Sequence, residues 1–264
     1  TRPDAVGDEA ITLLQSYGVK TVELGVQSMN DGILVDAKRG HTAQEVVEAV
    51  ARLKRRGMTV GVQLLPGLKG ETWESILETA IAVVKIKPDF VRIYPVLVIE
   101  NTELADQYRA GEYEPLSTEQ AITYCAFLKD WFERHNIEVI RTGLQSTEEL
   151  DSGNSLVAGP YEPAMGELVV NEQYKQRIER CINEHIESFI DKELSQWNIW
   201  GQVNTYIALN ISVFYPRSLT SKVRGLKNRN MLYFQEKYPH ININWYEDST
   251  RNTVRCCIDG LQYV

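Results

Sequence analysis

Val22-Glu23-Leu24-Gly25-Val26-Gln27-Ser28 is an apolar, partly β-branched run that stops abruptly on an amide and a hydroxyl. Met29-Asn30-Asp31-Gly32-Ile33-Leu34 follows, then Lys38-Arg39-Gly40-His41-Thr42, then an amphipathic stretch from Ala43 to Arg56. A buried strand that leads through a polar tip into a helix is the unit of an α/β fold. That tip is where such folds bind ligands, in closed barrels and in open sheets alike.

The unit recurs. A helix over about Ala5 to Tyr17, with Asp4 as its N-cap, leads through Gly18 to the strand Thr21–Val26. Helix Ala43–Arg56 leads through Gly57 to strand Thr59–Leu65, helix Thr72–Lys85 leads to strand Phe90–Val96, and helix Thr118–Arg134 leads to strand Ile137–Arg141. Thr42 with Glu45 reads as a full capping box, and Thr118 as a simple N-cap. Near-continuous apolar strands alternating with helices predict a parallel sheet with its strands adjacent in chain order and the first strand's edge left raw and apolar. Four strands are too few to close a barrel, so either further strands precede Thr1 or the sheet is open.

Beyond Gly143 the pattern changes. Residues 145–162 read as a long polar loop across a barrel end. A helix or two follow from Glu167 to Lys192, and Gln196 to Gln202 read as a connector. From Tyr206 a small α+β module is expected: a strand to Phe214, a basic segment with a helix over Ser218–Lys237, and the strands Ile241–Tyr246 and Thr253–Ile258 joined as a hairpin through Asp248–Asn252. The domains are thus expected at 1–165 and 166–264.

The chain of 264 residues carries 28 Lys and Arg against 36 Asp and Glu, a net charge of −8, which argues against a general nucleic-acid coat but leaves room for a local basic patch. Cys125, Cys181, Cys256 and Cys257 lack the spacing of zinc or iron–sulfur ligands, so no metal site and inert, reduced thiols are expected. No apolar run approaches the ~20 residues of a membrane span, and a cytoplasmic protein is expected. His41 and His135 read as exposed helix-terminus residues. Pro66-Gly67-Leu68-Lys69-Gly70 could cradle phosphate. The converging strand tips offer Gln27, Ser28, Arg39, Gln63, Tyr94 and, ending the fourth strand, Arg141-Thr142, chemistry suited to a polar ligand with a carboxylate, a ribose or phosphates. No nucleophile or acid–base constellation stands out, so the residues alone leave the catalytic groups unassigned.

Thr1-Arg2-Pro3-Asp4, Glu23 to Ser28, Lys38 to Thr42 and Tyr94-Pro95-Val96-Leu97-Val98-Ile99 together resemble the radical S-adenosylmethionine (SAM) enzymes, and within them the catalytic subunit of the Elongator complex and its shorter bacterial relatives. The coproporphyrinogen-oxidase-type branch is a more distant likeness. The resemblance covers about Thr1 to Met165. It implies a partial (β/α)6 barrel that binds SAM and a [4Fe-4S] cluster, with Gln27, Ser28 and Arg39 matching residues that line the SAM site and Gln63 standing where relatives hold the ribose. The family's C-x3-C-x2-C and Gly-Gly-Glu motifs are not in this sequence. Set against the family, Thr1 falls at the end of the third strand. The expectation is the C-terminal part of a longer barrel, which by itself holds no cluster and is inactive.

One further signal lies in the last module. Pro216 to Asn230 contains Arg217, Lys222, Arg224, Lys227 and Arg229 and no acid, with Tyr233, Phe234 and Trp245 nearby. This is a candidate RNA phosphate-contacting patch. An Elongator-like enzyme acting on a tRNA base is the leading expectation. The alternatives are a radical SAM enzyme acting on a porphyrin-like small molecule and a non-catalytic RNA-binding protein on a degenerate barrel.

Overall fold

The computed structural model describes residues 1–145, 147–151, 153, 155–196, 207–250 and 252–263. They form two compact units, Thr1–Val169 and Val170–Val264. In the first, a 3-10 turn at Pro3–Ala5 precedes α1 (Asp8–Ser16), β1 (Thr21–Gln27), α2 (Asp31–Asp36), α3 (Ala43–Arg55), β2 (Thr59–Leu64), α4 (Trp73–Ile86) and β3 (Phe90–Ile93). Then come β4 (Val98–Ile99), α5 (Glu103–Arg109), α6 (Thr118–Arg134), β5 (Glu138–Thr142), α7 (Glu148–Asp151), β6 (Leu156–Ala158) and the start of α8 (Met165–Gln196).

The four expected strands form one sheet, every pair parallel, in the order β1-β2-β3-β5. Its strands alternate rather than run continuously apolar. Leu24, Val62, Val91 and Val139 are register neighbours and pack with helix residues such as Val50, Leu53, Ala80, Val83 and Phe132. One residue along β1, β2 and β3, and two along β5 because the β3–β5 ladder slips between Val91 and Arg92, Gly25, Gln63, Arg92 and Arg141 are register neighbours. Successive side chains of a strand point to opposite faces, so the sheet carries an apolar face and a polar one. Close approach on the polar face requires Gly61, where a Cβ would lie 2.1 Å from the Phe90 ring. The outer edge of β1 is not raw. The Thr1 amine donates to Glu23 O at 2.7 Å and Gly25 N donates to Thr1 O at 2.9 Å, the bond pattern of a parallel neighbour.

Several boundaries differ from expectation. Asp4 does not cap α1. Its carboxylate pairs with Arg2 at 2.7 Å, and Gly7 stands at the cap. Thr42 and Glu45 do form the capping box, but α6 is capped by Ser117 with Gln120, one residue before Thr118. The third strand ends at Ile93, since Pro95 has no N–H to give a ladder. Residues 145–162 are more than a loop: β6 pairs antiparallel with β4.

In the second unit α8 is followed, past the undescribed residues 197–206 where most of the expected connector lies, by β7 (Ile207–Tyr215), α9 (Thr220–Arg224), α10 (Arg229–Lys237), β8 (Ile241–Glu247) and β9 (Arg255–Tyr263). The sheet order is β8-β7-β9, β7 being parallel to β8 and antiparallel to β9. The expected β8–β9 hairpin is therefore wrong. The stretch after β8 carries the chain past β7, starting with an Asp248 carboxylate that accepts from Thr250 N at 3.0 Å. β7 takes the centre because Ile211, Val213 and Tyr215 are fully enclosed, with Ile178, Ile182, Val223 and Phe234 around them.

Candidate functional site

At the tip of β1 the ladder with β2 slips by one residue between Gly25 and Gln27, and Gln27 adopts φ 70°. A residue other than glycine rarely takes this left-handed conformation, and such strain collects where a side chain must be re-aimed. Its effect is visible at Gly25. A Cβ there would stand 2.8 Å from Gln27 Nε2 and 3.8 Å from Arg39 Nη2. The amide and the guanidinium thus converge on space that only a glycine leaves open.

Arg39 lies between α2 and α3. It lines a cavity of about 360 Å³ together with Gln63, Tyr94, Lys69 and the apolar Leu65, Leu68, Leu97 and Leu104. Among the described residues Arg39 makes no ion pair, and its Nε is buried without a hydrogen-bond partner, as is Gln27 Oε1. Burial, with a smaller contribution from the Arg2 cation, lowers the Arg39 pKa from its ordinary value. Buried polar atoms are paired in the great majority of native sites, which makes these two unpaired atoms candidate contacts for a ligand's polar groups.

Of the four residues expected at the site, Arg39 and Gln63 line the cavity and Gln27 turns toward Arg39. Ser28 does not join them. Its fully buried hydroxyl lies 3.3 Å from Thr79 Oγ1 and accepts from Asn30 N at 3.2 Å, tying β1 to α4. The loop after β2 is no phosphate cradle. Gly67 N already donates to Glu71 Oε2 at 2.6 Å and Gly67 O accepts from Tyr113 Oη at 2.6 Å. Burial pushes the Glu71 carboxyl up to about 7, against the opposing pull of hydrogen bonds from the Gly67 and Leu68 backbones. His41 is buried, not exposed, with Nε2 donating to Val26 O at 3.2 Å. What the sequence reading missed is α5, which brings Glu103, Leu104 and Gln107 to the cavity. Its signal was Thr102, whose hydroxyl accepts from Ala105 N at 3.2 Å.

In the second unit the basic segment is broken by left-handed residues rather than wound into one helix. Gly225, Lys227 and Asn228 have φ of 71°, 53° and 61°. Arg217, Lys222, Lys227 and Arg229 are exposed, while Arg224 is half-buried with Nε donating to Tyr215 Oη at 3.3 Å. Of the three aromatics singled out beside it, Phe234 is fully buried and the other two are half-buried and engaged within the unit. Tyr233 donates to Glu179 at 3.0 Å beneath the Lys175 ammonium, and the Trp245 ring lies 5.7 Å from Phe234. Of the cysteines, Cys125 is fully buried and its thiol is pushed up. Half-buried Cys181 has its pKa lowered, first through a hydrogen bond from Cys256.

A parallel β/α sheet with helices after its strands defines an α/β protein of the barrel type, and sequence comparison gives the family. The Radical SAM superfamily matches residues 1–82 and the Radical_SAM C-terminal domain matches residues 88–176; the chain belongs to the radical SAM superfamily. It is similar to the tRNA uridine(34) acetyltransferase of Methanocaldococcus jannaschii, 34% identical over 186 residues that cover 69% of this chain and 33% of that protein. It is also similar to Elongator complex protein 3 of Homo sapiens, 30% identical over 129 residues, 48% of this chain and 24% of that one. The solved structure of the archaeal Methanocaldococcus infernus Elp3 with an N-terminal deletion superposes with a TM-score of 0.58 at 33% identity, over 67% of this chain and 41% of that one. The chain spans about one third of the length of the tRNA uridine(34) acetyltransferases it matches.

The family implies SAM and a [4Fe-4S] cluster. SAM fits the residues present: the orphaned Arg39 guanidinium suits its carboxylate, Gln27 Oε1 its ammonium, Gln63 its ribose hydroxyls, and the leucines its adenine. The cluster does not fit. The chain contains no C-x3-C-x2-C, and no group of three potential metal ligands occurs among the described residues. Among those residues, too, no helix is long and apolar enough to cross a membrane.

Proposed function

We propose that this chain belongs to an Elongator-like radical SAM enzyme that modifies a tRNA base in the cytoplasm. The observation that carries the reading is the 34% identity, over 69% of this chain, to a protein named for acetylating tRNA uridine 34. The site supports it. Arg39 and Gln27 would hold the amino-acid end of SAM, Gln63 the ribose, and the apolar wall would exclude water from the bound cofactor. When bound in such enzymes, SAM supplies the reactive group. These residues orient it, and no step is assigned to a cluster that they cannot hold.

In this reading the second unit contacts tRNA phosphates through Arg217, Lys222, Arg224, Lys227 and Arg229. Each neutralised phosphate releases counterions, so three to five contacts give a log–log salt slope of roughly −2 to −3.5. A salt titration of tRNA binding to the full chain tests this, against a variant with all five positions changed to Ala. Equal affinity and slope for the two proteins would make the segment a solvated face and remove the tRNA contact.

A further inference from the structure

The sheet of the second unit has two unlike faces. Residues at odd positions of β7 and β8, such as Ile211, Val213, Ile243 and Trp245, pack with the helices. The other face carries Tyr246, Phe214 and Arg255 as one row of register partners across β8, β7 and β9. Further along each strand on that face stand Asn244 beside Ser212, then Asn242 beside Asn210. The Tyr246 and Phe214 rings are stacked, with centroids 5.2 Å apart and planes 22° from parallel, and Tyr246 is 47% exposed. Asn242 Nδ2 donates to Asn210 Oδ1 at 3.1 Å, and Asn242, Asn244 and Arg255 are exposed.

We propose that this face is a single-stranded nucleic-acid platform: Tyr246 receives an unpaired base on the ring face turned away from Phe214, Arg255 meets a phosphate, and Asn242 and Asn244 read base edges. The chemistry selects the occupant. A stacked aromatic pair at the surface offers a planar π-face to any base. Amides supply both a donor and an acceptor, which base edges need and an apolar protein partner does not. No carboxylate stands among the described side chains of the paired rows on this face, and that of Asp248, two residues past Tyr246, is engaged by Thr250 N at 3.0 Å, which leaves the face itself without an acid to repel a polyanion. Adjacent strands stand about 4.8 Å apart and rows on one face about 6.8 Å apart, so base stacking and phosphate contact fall within one nucleotide's reach. The proposal rests on the RNA reading above and goes beyond its basic segment. It places the bases on the opposite side of the sheet from Tyr233 and Trp245.

The test is fluorescence anisotropy of a labelled oligouridylate and of tRNA with the full chain and three variants. Tyr246→Ala should weaken oligouridylate binding by roughly 5- to 150-fold, the range for one stacked base, with the salt slope unchanged. Tyr246→Phe, which keeps the ring, should bind as the parent does. Asn244→Asp, at an exposed position where folding is not at stake, should weaken binding by bringing a carboxylate to the face. Parental affinity in both Tyr246→Ala and Asn244→Asp overturns the platform. Binding of tRNA without binding of oligouridylate by the parent overturns the platform and leaves the tRNA reading standing. Failure of the parent to bind either RNA overturns both.

Discussion

Replacing Glu71 with Gln isolates a charge that the fold tolerates poorly. The Glu71 carboxylate accepts from the Gly67 amide inside the turn that supplies Leu68 and Lys69 to the cavity beside Arg39. Burial raises its pKa from 4.5 to about 7. Between those values the folded chain keeps a proton that the unfolded chain has lost. Stability contributed by the protonated carboxyl is therefore complete below pH 4.5, falls as pH rises through the window, and is gone above about 7. At about 1.4 kcal/mol per unit the rise from 4.5 to about 7 corresponds to about 3.5 kcal/mol, and since solvent partly reaches the side chain a loss of about 2 kcal/mol is expected. A glutamine can still accept from Gly67 N but has no proton to lose. Urea unfolding of parent and Glu71→Gln at pH 4.5 and pH 8 gives the difference directly. The parent should lose about 2 kcal/mol more than the variant between the two pH values, and the variant should be the more stable protein at pH 8. Equal losses in both would mean that Glu71 ionises freely in the folded chain and that the turn is not built around a buried acid.

Arg39→Ala should cost SAM affinity roughly 1.5–3 kcal/mol, the contribution of hydrogen bonds to a charged group, measured by calorimetry of SAM binding to parent and variant; unchanged affinity would remove Arg39 from the site. Ser28→Ala should do the opposite, leaving SAM affinity intact while lowering unfolding stability by about 1 kcal/mol through the lost Thr79 and Asn30 bonds. Gly61→Ala should destabilise the first unit by roughly 1–3 kcal/mol, since the new methyl meets the Phe90 ring at 2.1 Å; an unchanged melting temperature would contradict the β2–β3 register.

The sequence by itself determined the repeating unit and its direction. Helix, Gly and strand recur, and parallel strands need a crossover between them, so β1, β2, β3 and β5 and their order were legible from local pattern alone. The Thr42–Glu45 cap was legible for the same reason, because both partners lie within one turn. Arg39 and Gln63 were named from the tips they occupy and from family likeness.

Tertiary structure decided what depends on partners distant in sequence. Ser28 and Gln27 are adjacent, yet one is held by Thr79 of α4 and the other swings toward Arg39 through a slip in the ladder. The Gly67 turn had the composition of an anion cradle, but an acid four residues on already fills it. Asp248–Asn252 had the composition of a hairpin turn, but composition does not say which strand lies beyond it. The enclosed side chains of β7 claimed the middle of the sheet, and that choice placed Phe214 beside Tyr246 on the open face. Turn chemistry is local. Strand pairing is set by which strand has the most apolar surface to bury, a sum over the whole unit that no short window of sequence contains.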